Sequence, residues 1–274
     1  MTGRLPAVAI VVALAIGACG GSSGGGSSTA TSPSPAPALP VSSACAAVAQ
    51  SSASAGTAIV NGADCSTDGS AVVLLNLKDS SGQQLGACSG TIISARAVLT
   101  AAHCLQPPAA SVLIYLGSGP QLASSSFAPH PSWRDANTSQ FDVGVVQFAS
   151  DIGRAPKPLL LSRDARVGET AVIAGWGKSS ATGETATLRA GVAVITAVSP
   201  LTLQTTSTTT ASAVCQGDSG GPILVQEAGA WAIAGVISAN STLACSFGDN
   251  IYAAVRAAEN QSFILGLVPA ASRQ

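Results

Sequence analysis

The sequence CQGDSGGP, at residues 215–222, places three glycines around an aspartate and a serine. Glycine has no Cβ, so this segment can turn tightly and direct its backbone N–H groups toward one point. Ser219 carries a hydroxyl group in the middle of that turn. Such an arrangement suits a serine nucleophile whose reaction places negative charge on an oxygen atom.

Two further residues supply the other groups that acyl transfer by serine requires. His103 ends the hydrophobic segment LTAAHC (99–104), and Asp142 opens the apolar run FDVGVV (141–146). A carboxylate between Phe and Val is at least partly buried, so it needs a hydrogen-bonding partner. His103 is the candidate, because a serine nucleophile needs a base and a carboxylate that orients that base.

Short apolar runs separated by Gly, Ser and Pro predict an all-β sandwich or barrel assembly. Residues 252–268 have a helix-forming composition and predict a C-terminal helix. The predicted strand regions are residues 71–77, 90–102, 111–117, 141–148, 170–176, 188–198, 220–226 and 231–238.

TAAHC (100–104), the strand of Asp142, AGWG (174–177), GDSGGP (217–222) and the strand end at Ser238 occur in this order. Together they resemble the chymotrypsin/trypsin family of serine proteases, from about residue 59 to the C-terminal helix. The resemblance implies two six-stranded antiparallel β-barrels followed by a C-terminal helix, with the active site at their junction.

The same resemblance implies a role for each reactive residue. His103 is the general base, Asp142 orients it, and Ser219 is the nucleophile. The oxyanion hole is formed by the backbone N–H groups of Gly217 and Ser219. His103 and Asp142 come from the first barrel and Ser219 from the second.

Ile59-Val60-Asn61-Gly62 resembles the start of the mature enzyme in this family. We therefore expect a pro-segment at residues 45–58, a protease domain at 59–274, and activation by cleavage between Ala58 and Ile59. The freed amine of Ile59, with an ordinary pKa near 8, would pair with Asp218 and align the oxyanion donors. Ala58 is small, so self-activation is consistent with the pocket described next.

The resemblance also implies which residues form the substrate pocket. Ala213, six residues before the nucleophile, stands where an aspartate selects Lys or Arg. Asn240 and Asn250 stand where members with wide pockets have glycine, beside the strand end at Ser238. We expect a narrow pocket that prefers small or medium uncharged residues.

Seven cysteines are an odd number for an exported protein. The resemblance pairs Cys88 with Cys104 and Cys215 with Cys245. Cys45 and Cys65 then pair by elimination if the seventh cysteine is modified. This departs from trypsins, in which the cysteine matching Cys65 bonds to the second barrel.

The N-terminus carries an export signal at residues 1–18, with one arginine before an apolar run. The sequence IGAC (16–19) resembles the bacterial lipobox, which predicts that Cys19 carries lipid. The alternative is a plain secretory signal followed by an unmodified cysteine. Residues 19–44 are rich in Gly, Ser and Pro and predict a flexible tether. Either signal exports the chain, and the first anchors it in the bacterial envelope.

Other classes of function fit less well. GDSGG also matches the α/β-hydrolase nucleophile motif, but that fold needs a histidine after the serine, and none follows Ser219. His130, the second of two histidines, lies in a segment that resembles a non-catalytic one of the family. Two histidines and no metal-binding motif predict no metal and no cofactor.

The charges, 12 basic against 13 acidic residues, predict no nucleic-acid binding. The expected partners are a protein or peptide substrate and, through lipid, a membrane, and the expected state is a monomer. The alternative from another class is a protease-like lipoprotein that binds or scaffolds without cutting.

Overall fold

Antiparallel β-sheet dominates the computed structural model, which describes residues 41–48, 59–134, 139–180, 183, 187–208, 211–242, 245 and 247–274. The predicted signal peptide, Cys19, the tether up to residue 40 and residues 49–58 of the pro-segment lie outside these residues. The described residues all belong to the unit Ala38–Gln274.

The first sheet has the strand order β6-β5-β2-β3-β4-β8-β7 and curves as a half-barrel. β6 and β7 are short and separated by two residues, and they pair with β5 and β8 at opposite ends of the sheet. The strands are β2 (Val72–Lys78), β3 (Gln84–Ser94), β4 (Ala97–Thr100), β5 (Ser111–Tyr115), β6 (Leu122–Ala123), β7 (Ser126–Pro129) and β8 (Gly144–Gln147).

The second sheet has the order β1-β10-β11-β14-β13-β12-β9. β9 also pairs with β10, and this pairing closes a six-stranded barrel, to which β1 adds by pairing with the start of β10. The strands are β1 (Ala63–Asp64), β9 (Thr170–Gly175), β10 (Arg189–Val198), β11 (Thr202–Ser207), β12 (Pro222–Glu227), β13 (Ala230–Asn240) and β14 (Gly248–Ala254). The predicted all-β class and chymotrypsin-like architecture are thus confirmed, with one closed six-stranded barrel and one half-barrel in place of two closed barrels.

The β12–β13 hairpin shows how local sequence sets this architecture. Its two-residue loop is Ala228-Gly229, and both residues have positive φ, 48° and 83°. A two-residue loop in which both residues have positive φ matches the twist of the flanking strands. β12 and β13 therefore stay paired up to the residues that flank the loop.

The C-terminal helix α2 spans Ala258–Leu267. The sequence predicted a helix from residue 252, but residues 248–254 form β14, which pairs with both β11 and β13. Pairing with β11 and β13 therefore outweighed the helix-forming composition of this segment. In the described part of the chain, no helix is long and apolar enough to cross a membrane.

A second helix, α1, spans Val41–Val48 and overlaps the end of the predicted tether. It packs against β1, β9 and β10. Ala44, Cys45, Ala47 and Val48 are buried, whereas Ala46 is exposed. Part of the predicted pro-segment is therefore integrated into the domain's core.

Three disulfides join described residues, and they are the three pairs expected from the sequence. Cys45 of α1 bonds to Cys65, which follows β1. The other two pairs are Cys88–Cys104 and Cys215–Cys245. The first bond links α1 covalently to the segment that follows β1.

Candidate active site

His103 and Asp142 meet because β4 and β8 are antiparallel neighbours. His103 lies in a 3₁₀ helix, Ala102–Leu105, just after β4, and Asp142 lies just before β8. The imidazole Nδ1 is 2.7 Å from Oδ2 of Asp142, and the backbone N–H of His103 donates to Oδ1 at 2.9 Å. The carboxylate holds the proton on Nδ1, which leaves Nε2 as a proton acceptor.

Asp142 also accepts a hydrogen bond from the second barrel. The hydroxyl of Ser238, on β13, donates to Oδ2 at 2.5 Å. Asp142 is only 2% exposed, so these hydrogen bonds compensate for burying its charge. The sequence assigned Ser238 to the pocket alone, and its contact with Asp142 was not predicted.

The Ser219 loop lies just before β12 of the second barrel. Gly217 has φ +94°, a conformation that favours glycine. Asp218 N–H donates to the carbonyl of Cys215 at 3.0 Å, and Gly221 N–H donates to that of Asp218 at 2.8 Å. Within the described residues, the N–H groups of Gly217 and Ser219 donate to no protein acceptor.

Ser219 lies close to the 3₁₀ helix of His103. Its carbonyl oxygen is 3.9 Å from Sγ of Cys104, the residue after His103. Among the described residues, no hydrogen bond joins the Ser219 hydroxyl to the imidazole. Catalytic hydrogen bonds often tighten only when substrate binds, so this geometry is compatible with proton transfer.

His130 lies apart from this group. Its ring stacks on Phe141 at 5.2 Å between centroids and contacts Phe263 at 4.7 Å. Its Nδ1 accepts the N–H of Ser132, and burial lowers the pKa of His130. These contacts make it a packing residue beside the segment that carries Asp142.

Cys88, His103 and Cys104 form the single group of potential metal ligands in the described part of the chain. The two cysteines are bonded to each other, so they offer no thiolate to a metal ion.

Asp218 is a second buried carboxylate, 1% exposed, next to Ser219 in the chain. Its two oxygens accept one N–H each, from Gly177 and Cys215, both at 2.8 Å. A Cβ on Gly175 would lie 2.2 Å from Oδ1, which explains why the AGWG turn requires glycine. Burial raises the pKa of Asp218 from 3.8 to about 7, although the two N–H groups oppose that change.

Ile59 is buried in the core of the second barrel although the chain is intact before it. Its φ is +39°, which is strained for a β-branched residue. Val60 forms a bridge to Ala213, whose N–H donates to the Val60 carbonyl at 3.1 Å. The segment beginning at Ile59 is therefore held against the chain that leads to Asp218.

A cavity of about 140 Å³ opens beside Ser219. Of the predicted pocket residues, Ser238 and Asn240 line it, whereas Ala213 and Asn250 are buried and lie outside the lining. The lining comprises Val214, Cys215, Gln216, Ser219, Ile237, Ser238, Ala239, Asn240, Thr242 and Cys245.

Asn250 supports this cavity from behind. Its amide donates to the hydroxyls of Thr205 and Ser207, and its oxygen accepts from Val214 N–H and from the Asn240 amide at 2.9 Å. All four hydrogen-bonding positions of the Asn250 side chain are thus used. Asn240 is consequently fixed at the cavity wall.

A wider cleft of about 560 Å³ continues from this cavity past the imidazole. It is lined by His103, Asp142 and Trp133, and it shares Ser238 and Asn240 with the smaller cavity. The arrangement can therefore hold an extended chain across the reactive groups with one side chain in the smaller cavity.

Known proteins resemble this chain in sequence. The trypsin family model matches residues 59–264. Trypsin alpha of Drosophila melanogaster is 30% identical over 161 residues, which cover 50% of this chain and 62% of that protein. Chymotrypsin of Phaedon cochleariae is 33% identical over 174 residues, which cover 53% of this chain and 62% of that protein. Trypsin delta of Drosophila melanogaster is 31% identical over 194 residues, which cover 62% of this chain and 75% of that protein. The chain thus spans less than two thirds of the first two relatives.

A solved structure, that of HL collagenase, has a similar fold. Its TM-score is 0.65 at 22% identity, and the match covers 77% of this chain and 98% of that one. The likeness shows a chymotrypsin-like fold.

The raised pKa of Asp218 predicts how the stability of the intact chain depends on pH. Between about pH 4 and 7 the folded chain binds a proton that the unfolded chain releases, so the free energy of unfolding falls as the pH rises. The Asp218 contribution to this fall is at most about 4 kcal/mol. Urea unfolding of the Ser219→Ala chain across this range measures it.

The control is the double variant Ser219→Ala, Asp218→Asn, which cannot titrate at this position. Its unfolding free energy should fall less steeply over the same pH range. Equal slopes for the two proteins would contradict the burial argument.

Proposed function

Because the chain belongs to the trypsin family of serine proteases, we propose that it is an exported serine endopeptidase that cleaves peptide bonds through an acyl-enzyme. The observation that carries this proposal is the hydrogen-bonded pair of His103 and Asp142 beside Ser219. The N–H groups of Gly217 and Ser219, which have no protein acceptor in the described part of the chain, support it as the oxyanion hole.

In the first step, Nε2 of His103 takes the proton of the Ser219 hydroxyl while that oxygen attacks the scissile carbonyl. The N–H groups of Gly217 and Ser219 bind the resulting oxyanion. Asp142 stabilises the imidazolium, which then protonates the leaving amine. Water attacks the acyl-enzyme by the same route and restores the free hydroxyl.

We propose a preference for small or medium uncharged residues at the cleavage site. Asn240, held in the wall of the cavity, occupies space that a glycine at this position would leave open. The described residues that line the cavity carry no charge that would attract Lys or Arg.

Export and activation complete the proposal. Three disulfides support export to an oxidising compartment. Cleavage between Ala58 and Ile59 would relieve the strain at Ile59 and create a cation for the buried Asp218. The family model's match also begins at residue 59.

The Cys45–Cys65 bond gives this activation an unusual consequence. Cys45 lies before the proposed cut and Cys65 after it, so the cut domain stays bonded to α1 and to everything N-terminal to it. If Cys19 carries lipid, the active enzyme remains attached to the membrane.

Serine labelling tests the proposed activity. The processed protein should react with a fluorophosphonate and hydrolyse peptides. Ser219→Ala should abolish labelling and lower kcat roughly 10⁶-fold, and Asp142→Asn should lower it about 10⁴-fold. Ser81→Ala, at an exposed turn, is the matched control and should behave as wild type. Correctly processed wild-type protein that takes no label would favour the binding or scaffolding role.

N-terminal sequencing and gels test activation and the tether together. We expect active material to begin IVNG, to migrate as one species without reductant and as two with it, and to leave membranes only after reduction. Asp218→Asn, cut at the same bond, should have a kcat at least about tenfold lower, because the new amine loses its partner. The control variant Asp79→Asn removes a carboxylate of intermediate exposure in the turn between β2 and β3, and it should leave kcat unchanged.

A double variant serves as the control for the tether. Cys45→Ser with Cys65→Ser should release the cut domain without reductant. Membrane release of cut wild-type protein without reductant would show that the bond is not the tether.

A peptide library tests the pocket. Wild type should favour Ala or Val at the cleavage site, and Asn240→Gly should raise kcat/KM for Leu and Phe substrates about tenfold by opening the wall. Asn240→Gln keeps the amide and should keep the narrow preference. Strong cleavage after Arg or Lys by wild type would refute the pocket assignment.

A further inference from the structure

Ser89 belongs to none of the sequence motifs, yet it contacts the catalytic loop at two points. It lies in β3 of the first barrel and is completely buried. Its backbone N–H donates to the carbonyl of Ser219 at 2.8 Å. Its hydroxyl donates to the carbonyl of Gly217, also at 2.8 Å.

Both hydrogen-bonding roles of this hydroxyl are occupied. While it donates to Gly217, it accepts the buried N–H of Trp176 at 2.9 Å. The carbonyl of Ser89 accepts the Thr100 hydroxyl at 2.8 Å. With a donor on one side and an acceptor on the other, the hydroxyl has one orientation that satisfies both groups.

The bond to Gly217 matters because of which peptide group it holds. The two oxyanion donors belong to the peptides before Gly217 and before Ser219, and a single peptide, Gly217–Asp218, lies between them. The Ser89 hydroxyl donates to the carbonyl of that middle peptide. The N–H of the same peptide, which belongs to Asp218, donates to the carbonyl of Cys215. The middle peptide is therefore fixed at both ends.

Glycine at position 217 makes such a clamp necessary. A residue without a Cβ can rotate its neighbouring peptides at little steric cost. If the middle peptide turned, the N–H groups on either side would point in different directions. Oxyanion stabilisation depends on donors that are already aligned before the charge develops.

We propose that the hydroxyl of Ser89 is a positioning group for the oxyanion hole, acting from the first barrel on a loop of the second. The inference rests on the proposed peptidase function and adds a residue to it. Ser89 touches no substrate atom, and its effect passes through the Gly217 carbonyl.

Ser89→Ala in the processed enzyme tests this role. We expect kcat to fall roughly 10- to 100-fold while KM changes less than about twofold, because alignment matters mainly in the transition state. Affinity for a tetrahedral peptide boronic acid should fall by a similar factor. Ser89→Thr keeps the hydroxyl and should restore most of both.

Ser70→Ala is the matched control, since Ser70 is a buried serine whose hydroxyl accepts the N–H of Val72 and makes no hydrogen bond to residues 215–221 among the described residues. It should lower the melting temperature and leave kcat unchanged. If Ser89→Ala does not fold, Ser89→Cys gives the comparison, because it keeps the side-chain volume and replaces the hydroxyl by a much weaker hydrogen-bond donor.

The outcomes separate the two proposals. If the wild type is active and Ser89→Ala has the same kcat and the same boronate affinity, the positioning role alone is overturned. A processed wild type that hydrolyses no peptide and takes no fluorophosphonate overturns the proposed function, and the role of Ser89 with it.

Discussion

The carboxylate of Asp142 is the contact on which the site depends, because it receives hydrogen bonds from both barrels. His103 approaches from the end of β4 and Ser238 from β13. A buried charge loses much free energy if one of its partners moves away, so the relative position of the two barrels is fixed at this point. Ser89 makes a second connection of this kind, from β3 to the Ser219 loop.

A second buried carboxylate, Asp218, sets the conformation of the Ser219 loop. Two N–H groups hold it where glycines leave room, and in the intact chain it has no cationic partner within hydrogen-bonding distance among the described residues. Asp142 thus accepts three hydrogen bonds, including one from the His103 ring, whereas Asp218 accepts two, both from backbone N–H groups. This difference fits the proposed catalytic role of Asp142 and the proposed control of Asp218 by a new charge.

Motifs with a fixed local chemistry could be predicted from the sequence, and contacts between distant segments could not. GDSGGP and TAAHC indicated the candidate reactive residues, which the fold brings to one site, because glycines and a strand-end histidine are unusual in combination. Ser89 could not be found this way, since a serine in a strand has no pattern of its own until its neighbours 87 and 128 residues away are known. Likewise, α1 is a short run of small residues whose helix depends on packing against β10. The start of α2 was misplaced because the β14 pairings are tertiary.

The left-handed backbone at Ile59 has a consequence for the reversibility of cleavage. The φ angle of Ile59 exists only while residue 58 is attached, so hydrolysis removes its strain, of order 1–3 kcal/mol. Resealing the bond would restore that strain and also neutralise the amine beside Asp218. Each cost shifts the hydrolysis equilibrium further from the intact chain, so the proposed activation cut would be a one-way step even though both fragments would stay joined through Cys45 and Cys65.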